Sequence, residues 1–298
     1  MPMSRAGFAA LLVQDINRVI FDVGQERPAE YSMYFNVRNM DTNPQKDRQV
    51  SGLSNMPEKP EGQQFRQDEF ILGGSKTYTA VPYGTSVEVP YEFWEDELYG
   101  VVQEIAVEMG RAGRYREEVD AWSIITNSFD TAFPGFDGVP LCSTAHVGLD
   151  GVTRANRPAT EIGFSISGIQ ASVLRSHGLT GEKGRPSLLH PTMAIVHYNN
   201  LFLAREILGS SGKPFSANNE INSLVPEEFS YMVGHFLTST SAWWLSVGQG
   251  KHDLNFFWRT RPILDSFDDK RTKSAVFTLY QRHTKGFGSY RGVDGSTG

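Results

Sequence analysis

From Trp94 to Phe129 the chain sets Trp94, Leu98, Val101, Ile105, Met109, Ala112, Tyr115, Val119, Trp122, Thr126 and Phe129 at steps of three and four. That spacing returns each residue to one side of an α-helix and predicts an apolar stripe about ten turns long. About 36 helical residues would reach roughly 54 Å, more than the diameter of a small domain. Gly100, Gly110 and Gly113 each cost about 1 kcal/mol relative to alanine inside such a helix. They permit bending or the close approach of a neighbour. A two-stranded coiled coil competes for this spacing, but the charged flanks are irregular and the stripe is rich in aromatics. The reading is a long helix lying across a sheet.

Strand patterns surround it, giving an α+β class. Residues 4–23 carry Phe8, Leu11, Leu12, Ile16, Val19, Ile20 and Val23 on one helical face, followed by an extended, aromatic-dotted stretch ending in YSMYF. Residues 37–76 are polar and rich in breakers, with Pro44, Pro57, Pro60 and the Gly73-Gly74 pair. A loop of that length buries little by itself and exceeds an ordinary connection. KTYTAVPYGTSVEVPYEF then alternates as strand, broken at Pro82 and Gly84. Ile162, Ile166, Ile169, Val173 and Leu174 predict a second helix over 160–178. MAIVHY (193–198) is a buried strand, and NNLFLAREILGS is a helix opened by Asn199 or Asn200 and closed by Gly209. FSYMVGHFL, SAWWLSV and KSAVFTLYQRHTKGFGSY supply later apolar segments. The tail GVDGSTG reads as frayed.

Composition narrows the function. The 298 residues carry a net charge of -6 and a pI near 5.7, with no Lys/Arg run, which argues against a dedicated nucleic-acid binder. The N-terminus is not of signal-peptide type, and no stretch approaches ~18 apolar residues. A single cysteine forms no intramolecular disulfide.

That cysteine lies in GFDGVPLCSTAH (135–146), where Cys142 and His146 could be a nucleophile and its base. Four residues of extended chain would hold them over ~12 Å apart, so Asp137-Gly138 is better read as a turn before a packed strand. The seven histidines form no HxxxH or HExxH pattern, and zinc ligands would have to be scattered across the chain. GGSKT (73–77) lacks the first glycine of a phosphate loop. RAGRYREE (111–118) reads as a solvated or intersubunit ion-pair face. No catalytic, cofactor or metal site emerges.

The order of these parts resembles the major capsid proteins of tailed bacteriophages, in particular relatives of the Mu-like major head subunit. The resemblance rests on ILGGSKTYTAVPYGTSVEVPYEFWEDEL (71–98), the helix running to NSFD (127–130), FDGVPLCSTAH (136–146), PTMAIVHYNNLFLAREIL (191–208), AWWL (242–245) and RTRP (259–262). Cys142 stands where relatives commonly have an aromatic residue. The resemblance implies an N-terminal arm (1–36), an extended loop (37–76) and a peripheral domain (77–160) with a spine helix over about 93–130. An axial domain (161–258) and a return to the peripheral domain with a tail (259–298) would follow.

It also implies a self-assembling structural subunit, not an enzyme, in hexamers and pentamers of an icosahedral virion shell around double-stranded DNA. Assembly would take place in the bacterial cytoplasm. Intersubunit contacts are expected from Phe8, Leu12, Ile16, Phe65, Lys76, Arg111, Arg114 and Glu117. Expected partners are neighbouring capsomers, a portal, separate scaffolding or decoration proteins and, nonspecifically, packaged DNA; no membrane partner is expected. Some relatives crosslink a loop lysine to an asparagine. Lys46, Lys59 and Lys76 are possible donors here, but no Asn follows Asn255 and no crosslink is expected. The alternatives are an encapsulin-like nanocompartment, which shares the fold but encloses an enzyme, and a cysteine hydrolase using Cys142 and His146.

Overall fold

A computed structural model of the chain describes residues 29–90, 92, 99–214 and 220–298. The arm helix expected over 4–23, with Phe8, Leu12 and Ile16, lies outside the described residues. Contacts divide the chain into two units.

The first unit draws on Met1–Gln45, Tyr78–Ala121 and Phe256–Lys285. Its described part opens with a short helix α1 (Glu30–Tyr34) and strand β1 (Asn36–Asn39), and its sheet has the order β1, β10 (Leu254–Asp269), β11 (Ser274–Phe287), β4 (Val81–Pro90). β11 runs antiparallel to β4, from Ser274 opposite Pro90 to His283 opposite Val81. β4 closes the sheet, and an edge tolerates Pro82. Along β11 every second residue, Phe277, Leu279, Gln281 and His283, turns inward, the period of a pleated strand.

Over this sheet lies helix α2 (Tyr99–Thr126), 28 residues long. Met109 and Ile105 meet Val89, Phe277 and Leu279. At Gly113 a Cβ would stand 3.0 Å from Leu279 Cδ2, and the Gln281 amide donates to the Gly113 carbonyl at 3.2 Å. This glycine buys close approach of helix and sheet. The helix ends at Thr126, short of the expected residue 130, as 127–129 form a turn.

The middle of α2 departs from the expected stripe. Ala112 and Tyr115 are exposed, whereas Gly113, Glu117, Glu118 and Asp120 are buried. The inward face steps through 109, 113, 117 and 120, one position away from the apolar stripe. Its carboxylates are tolerated because other segments supply donors, and RAGRYREE is therefore not a uniformly solvated face.

The second unit takes in Lys46–Thr77, Trp122–Asn255 and Gly286–Gly298. Residues 122–160 thus cluster with the segment read as axial, and the chain returns to this unit at Gly286. Most of a two-stranded ribbon, β2 (Gln45–Val50) and β3 (Leu72–Tyr78), belongs here, as does the small pair β5 (His146–Val147) and β6 (Thr153–Arg154). Helix α3 (Ile166–His177) is capped by the Ser165 hydroxyl, which accepts from the Gly168 amide.

Its main sheet has the order β12 (Val293–Ser296), β9 (Trp243–Ser246), β7 (Met193–His197), β8 (Ser230–Gly234). β7 and β8 are parallel and are linked through helix α4 (Leu201–Gly209); β9 is antiparallel to both β7 and β12. Ala194, Val196, Trp243 and Leu245 face α3 and α4, meeting Ile169, Ala204 and Ile207. On the alternate residues, Trp244 stacks with Phe129 and donates from Nε1 to the Ser128 hydroxyl at 2.9 Å.

The tail expected to fray is instead the buried strand β12. Asp294 accepts from Arg175 Nε and Ser172 Oγ, each at 2.6 Å. A Cβ on Gly295 would lie 2.6 Å from Trp244 Cδ1 and 2.9 Å from Cys142 Sγ, so the strand fits only because this residue has no side chain.

Candidate functional site

GFDGVPLCSTAH turns the chain after α2. Gly138, with φ 76°, and the Asp137 carboxylate, which accepts from the Val139 amide, make the turn. Cys142 is fully buried under Gly295, and burial pushes its thiol far above the ordinary range. His146 is equally buried. Its Nδ1 meets Asp137 Oδ2 at 2.6 Å and its Nε2 meets Asn156 Oδ1 at 2.9 Å. Asn156 Nδ2 donates to the Leu141 and Val293 carbonyls, which fixes Oδ1 as the acceptor, so Nε2 is a donor. Both imidazole nitrogens are committed away from the thiol. A thiol held protonated, with the imidazole committed to Asp137 and Asn156, is no activated nucleophile, and the arrangement fastens 137–156 to β12.

The second constellation is the carboxylate row on α2. Glu117 accepts from the Tyr31 hydroxyl and Arg114, both at 3.1 Å; Glu118 accepts from the Tyr31 amide at 3.0 Å. Burial, only partly offset by these donors, pushes Glu117 and Glu118 up to about 7. Asp120 is just as deep. Burial would raise it too, but His283 at 2.9 Å and Lys285 at 2.6 Å outweigh that and hold it well below the carboxylate range. These groups pin α1 and β11 to the helix. Glu117, expected at a subunit interface, is thus occupied within its own chain. Arg111 is exposed and pairs with Glu108 at 2.6 Å; Arg114, partly exposed, pairs with Glu117.

The third is the extended loop. Ser51 and Ile71 exchange hydrogen bonds, and Asp68 accepts from the Ser54 amide and hydroxyl at 2.5 and 2.6 Å. The segment read as a structureless loop is therefore laced across its neck. Lys183 donates to Asp68 at 3.2 Å, and the Gln49 amide donates to Glu182 at 3.1 Å. Lys76 donates to the Pro134 carbonyl at 2.6 Å, and burial lowers its pKa. Beyond the neck, Met56 is 94% exposed and Phe65 82%, with Phe70 also open. Phe65 is thus presented outward, while Lys76 is engaged within the chain.

Asn156, Glu182, Tyr290 and Asp294 escaped the sequence reading. Each joins segments far apart in the chain, and no local pattern marks them. Among the described residues no three His, Cys, Asp or Glu side chains form a metal-binding group, and no helix is long and apolar enough to cross a membrane.

The profile of a family described as phage capsid protein matches residues 74–293. This span covers most of the chain, which belongs to that family of capsid proteins. No curated protein matches. Among solved structures the chain is similar to the capsid of cyanophage P-SCSP1u, with a TM-score of 0.57 and 10% identity over 88% of this chain and 85% of that one. It is similar to the procapsid protein of bacteriophage JBD30, at TM-score 0.55 and 16% identity over 99% and 76%. It is also similar to a virus-like particle from Pyrococcus furiosus, at TM-score 0.53 and 8% identity over 95% and 98%. At such identities the likeness shows the fold, the α+β architecture of phage capsid subunits.

Proposed function

We propose that this capsid protein is the major head subunit of a tailed phage, closing in pentamers and hexamers into an icosahedral shell around double-stranded DNA. The family match over residues 74–293 carries the reading. The open apolar side chains of the extended loop support it, since Met56, Phe65 and Phe70 together invite cover by another surface. Phe65, Arg111 and Arg114 are the described side chains we assign to intersubunit contact; Phe8, Leu12 and Ile16 would add the arm. Many modest contacts of this kind sum through geometry. A net charge of -6 suits a shell that touches its genome nonspecifically. Portal, scaffolding and decoration proteins would be its other partners, and assembly would occur in the host cytoplasm.

We keep one second reading, an encapsulin-like shell with a protein cargo, since the chain shares its fold with a virus-like particle as well as with phage capsids. Electron microscopy of the purified protein, with nuclease-protected DNA assayed in parallel, tests both. Closed shells protecting DNA support the head subunit. Closed shells holding protein and no DNA support the compartment, and a stable monomer at every concentration overturns both.

A further inference from the structure

A pair of histidines in the second unit is used by nothing described above. His177 closes the last turn of α3, and His190 lies on the segment entering β7. His190 Nδ1 stands 3.2 Å from His177 Nε2, and His190 Nε2 stands 3.3 Å from Glu227 Oε2. Glu227 ends the short helical turn Val225–Glu227 before β8. Three separate segments therefore converge on one exposed spot.

The spacing is that of a chelate. Two imidazole nitrogens at about 2.05 Å from a tetrahedral ion stand about 3.3 Å apart. Glu227 Oε2 stands at ion-pair distance from the other nitrogen of His190, the side from which a carboxylate can orient a metal-bound histidine. With the proton on Nε2, the Nδ1 lone pair of His190 faces His177. In that tautomer His177 Nε2–H can donate to it in the metal-free protein; metal binding then requires His177 to carry its proton on Nδ1 and to offer its Nε2 lone pair instead. No net proton need leave.

Two further observations suit a cation here. The last turn of α3 presents carbonyl ends that favour positive charge, and the neighbouring Arg175 is neutralised by Asp294. Leu188, two residues before His190, takes the left-handed conformation at φ 51°, a strained course that holds the approach to His190.

We propose that His177 and His190 form a two-nitrogen site for a divalent transition ion of the zinc class, oriented by Glu227 and completed by water. Bound there, the ion staples the end of α3 to the entry of β7 and the turn before β8. Borderline ions of this kind suit imidazole ligands.

The test uses the full chain without affinity-tag histidines, freed of metal by chelator and titrated with Zn²⁺ by calorimetry. One ion per subunit is expected. His177→Ala and His190→Ala should each weaken binding at least about tenfold, and Glu227→Gln about tenfold. With Cu²⁺ in place of Zn²⁺, paramagnetic resonance should show two coupled nitrogens, falling to one in either histidine variant. In chelator all three variants should unfold at the wild-type midpoint, with only the wild type shifting fully upward on adding Zn²⁺. Zn²⁺ affinity unchanged in both histidine variants, no measurable binding by the wild type, or a two-nitrogen signal that survives either substitution overturns the site.

Discussion

His146 lies flat against Tyr290, with ring centroids 3.7 Å apart and planes 10° from parallel. The stack joins the turn after α2 to the segment that leads into β12, and Asp137 and Asn156 lock the imidazole edge from both sides. Replacing His146 by Phe keeps the stack but removes the ring's hydrogen bonds to part-buried Asp137 and to buried Asn156, whose Oδ1 is then left with the Ser143 amide alone. We expect His146→Phe to lose about 1–3 kcal/mol of stability, as the loss of a buried hydrogen-bond partner does. Urea unfolding of the dissociated subunit measures it, and a loss within error would show that the ring's hydrogen bonds are dispensable.

Cys142 should behave as core. Its thiol is expected to resist a disulfide reagent in the folded protein and to react at once in denaturant. Cys142→Ser should assemble normally. Rapid labelling of the folded subunit, or a hydrolytic activity lost in the Ser variant, would reopen the nucleophile.

Gly295→Ala places a methyl against Trp244 and the Cys142 sulfur. Overpacking of a tight core typically costs about 1–3 kcal/mol, and this position should fall in that range. Shortening the neighbour by Cys142→Ala should recover part of the loss, which a double-mutant cycle would show. Strict additivity of the two changes would count against direct contact.

Glu117 and Glu118 set a pH dependence. Pushed up to about 7, they hold protons in the folded chain that the unfolded chain has already released, so stability falls as pH rises from about 4.5 to about 7. Asp120 acts oppositely, since it is held low and costs stability only when acid protonates it, below about pH 4. The subunit should be most stable near pH 5 and less stable at pH 8, by about 1–3 kcal/mol. Glu117→Gln with Glu118→Gln should flatten the profile between those values. A stability that climbs from pH 5 to pH 8 would contradict the buried, proton-holding state.

Mature particles should run as single subunits on denaturing gels. Lys76 is tied to the Pro134 carbonyl, and no Asn follows Asn255 to serve as acceptor. A ladder of covalent multimers would refute this.

Much of the fold was legible in local pattern. α3, β7 and α4 lie within the segments expected over 160–178, in MAIVHY and in NNLFLAREILGS, because apolar periodicity and polar caps act over a few residues. β12 was not legible. VDGS has one apolar residue, and what buries it is a salt bridge to Arg175 and the fit of Gly295 on Trp244, both supplied from far along the chain. The stripe on α2 misled for the same reason. Glu117 and Glu118 read as a solvated or intersubunit face, and Asp120 carried no signal at all, until Tyr31, His283 and Lys285 arrive from elsewhere, and then their side of the helix is the buried one. In the loop over 37–76, Asp68 and Ser54 close the neck across 14 residues of polar sequence that carries no period.

The position of β12 also has a consequence for synthesis. The ribosome makes β7, β8 and β9 before it makes residues 293–296, so a nascent sheet has an unpaired β9 edge until these residues emerge. Such edges recruit other strands. Closure of this sheet thus waits for the translation of residues 293–296, and a crowded polysome holds chains whose β9 edge is still open.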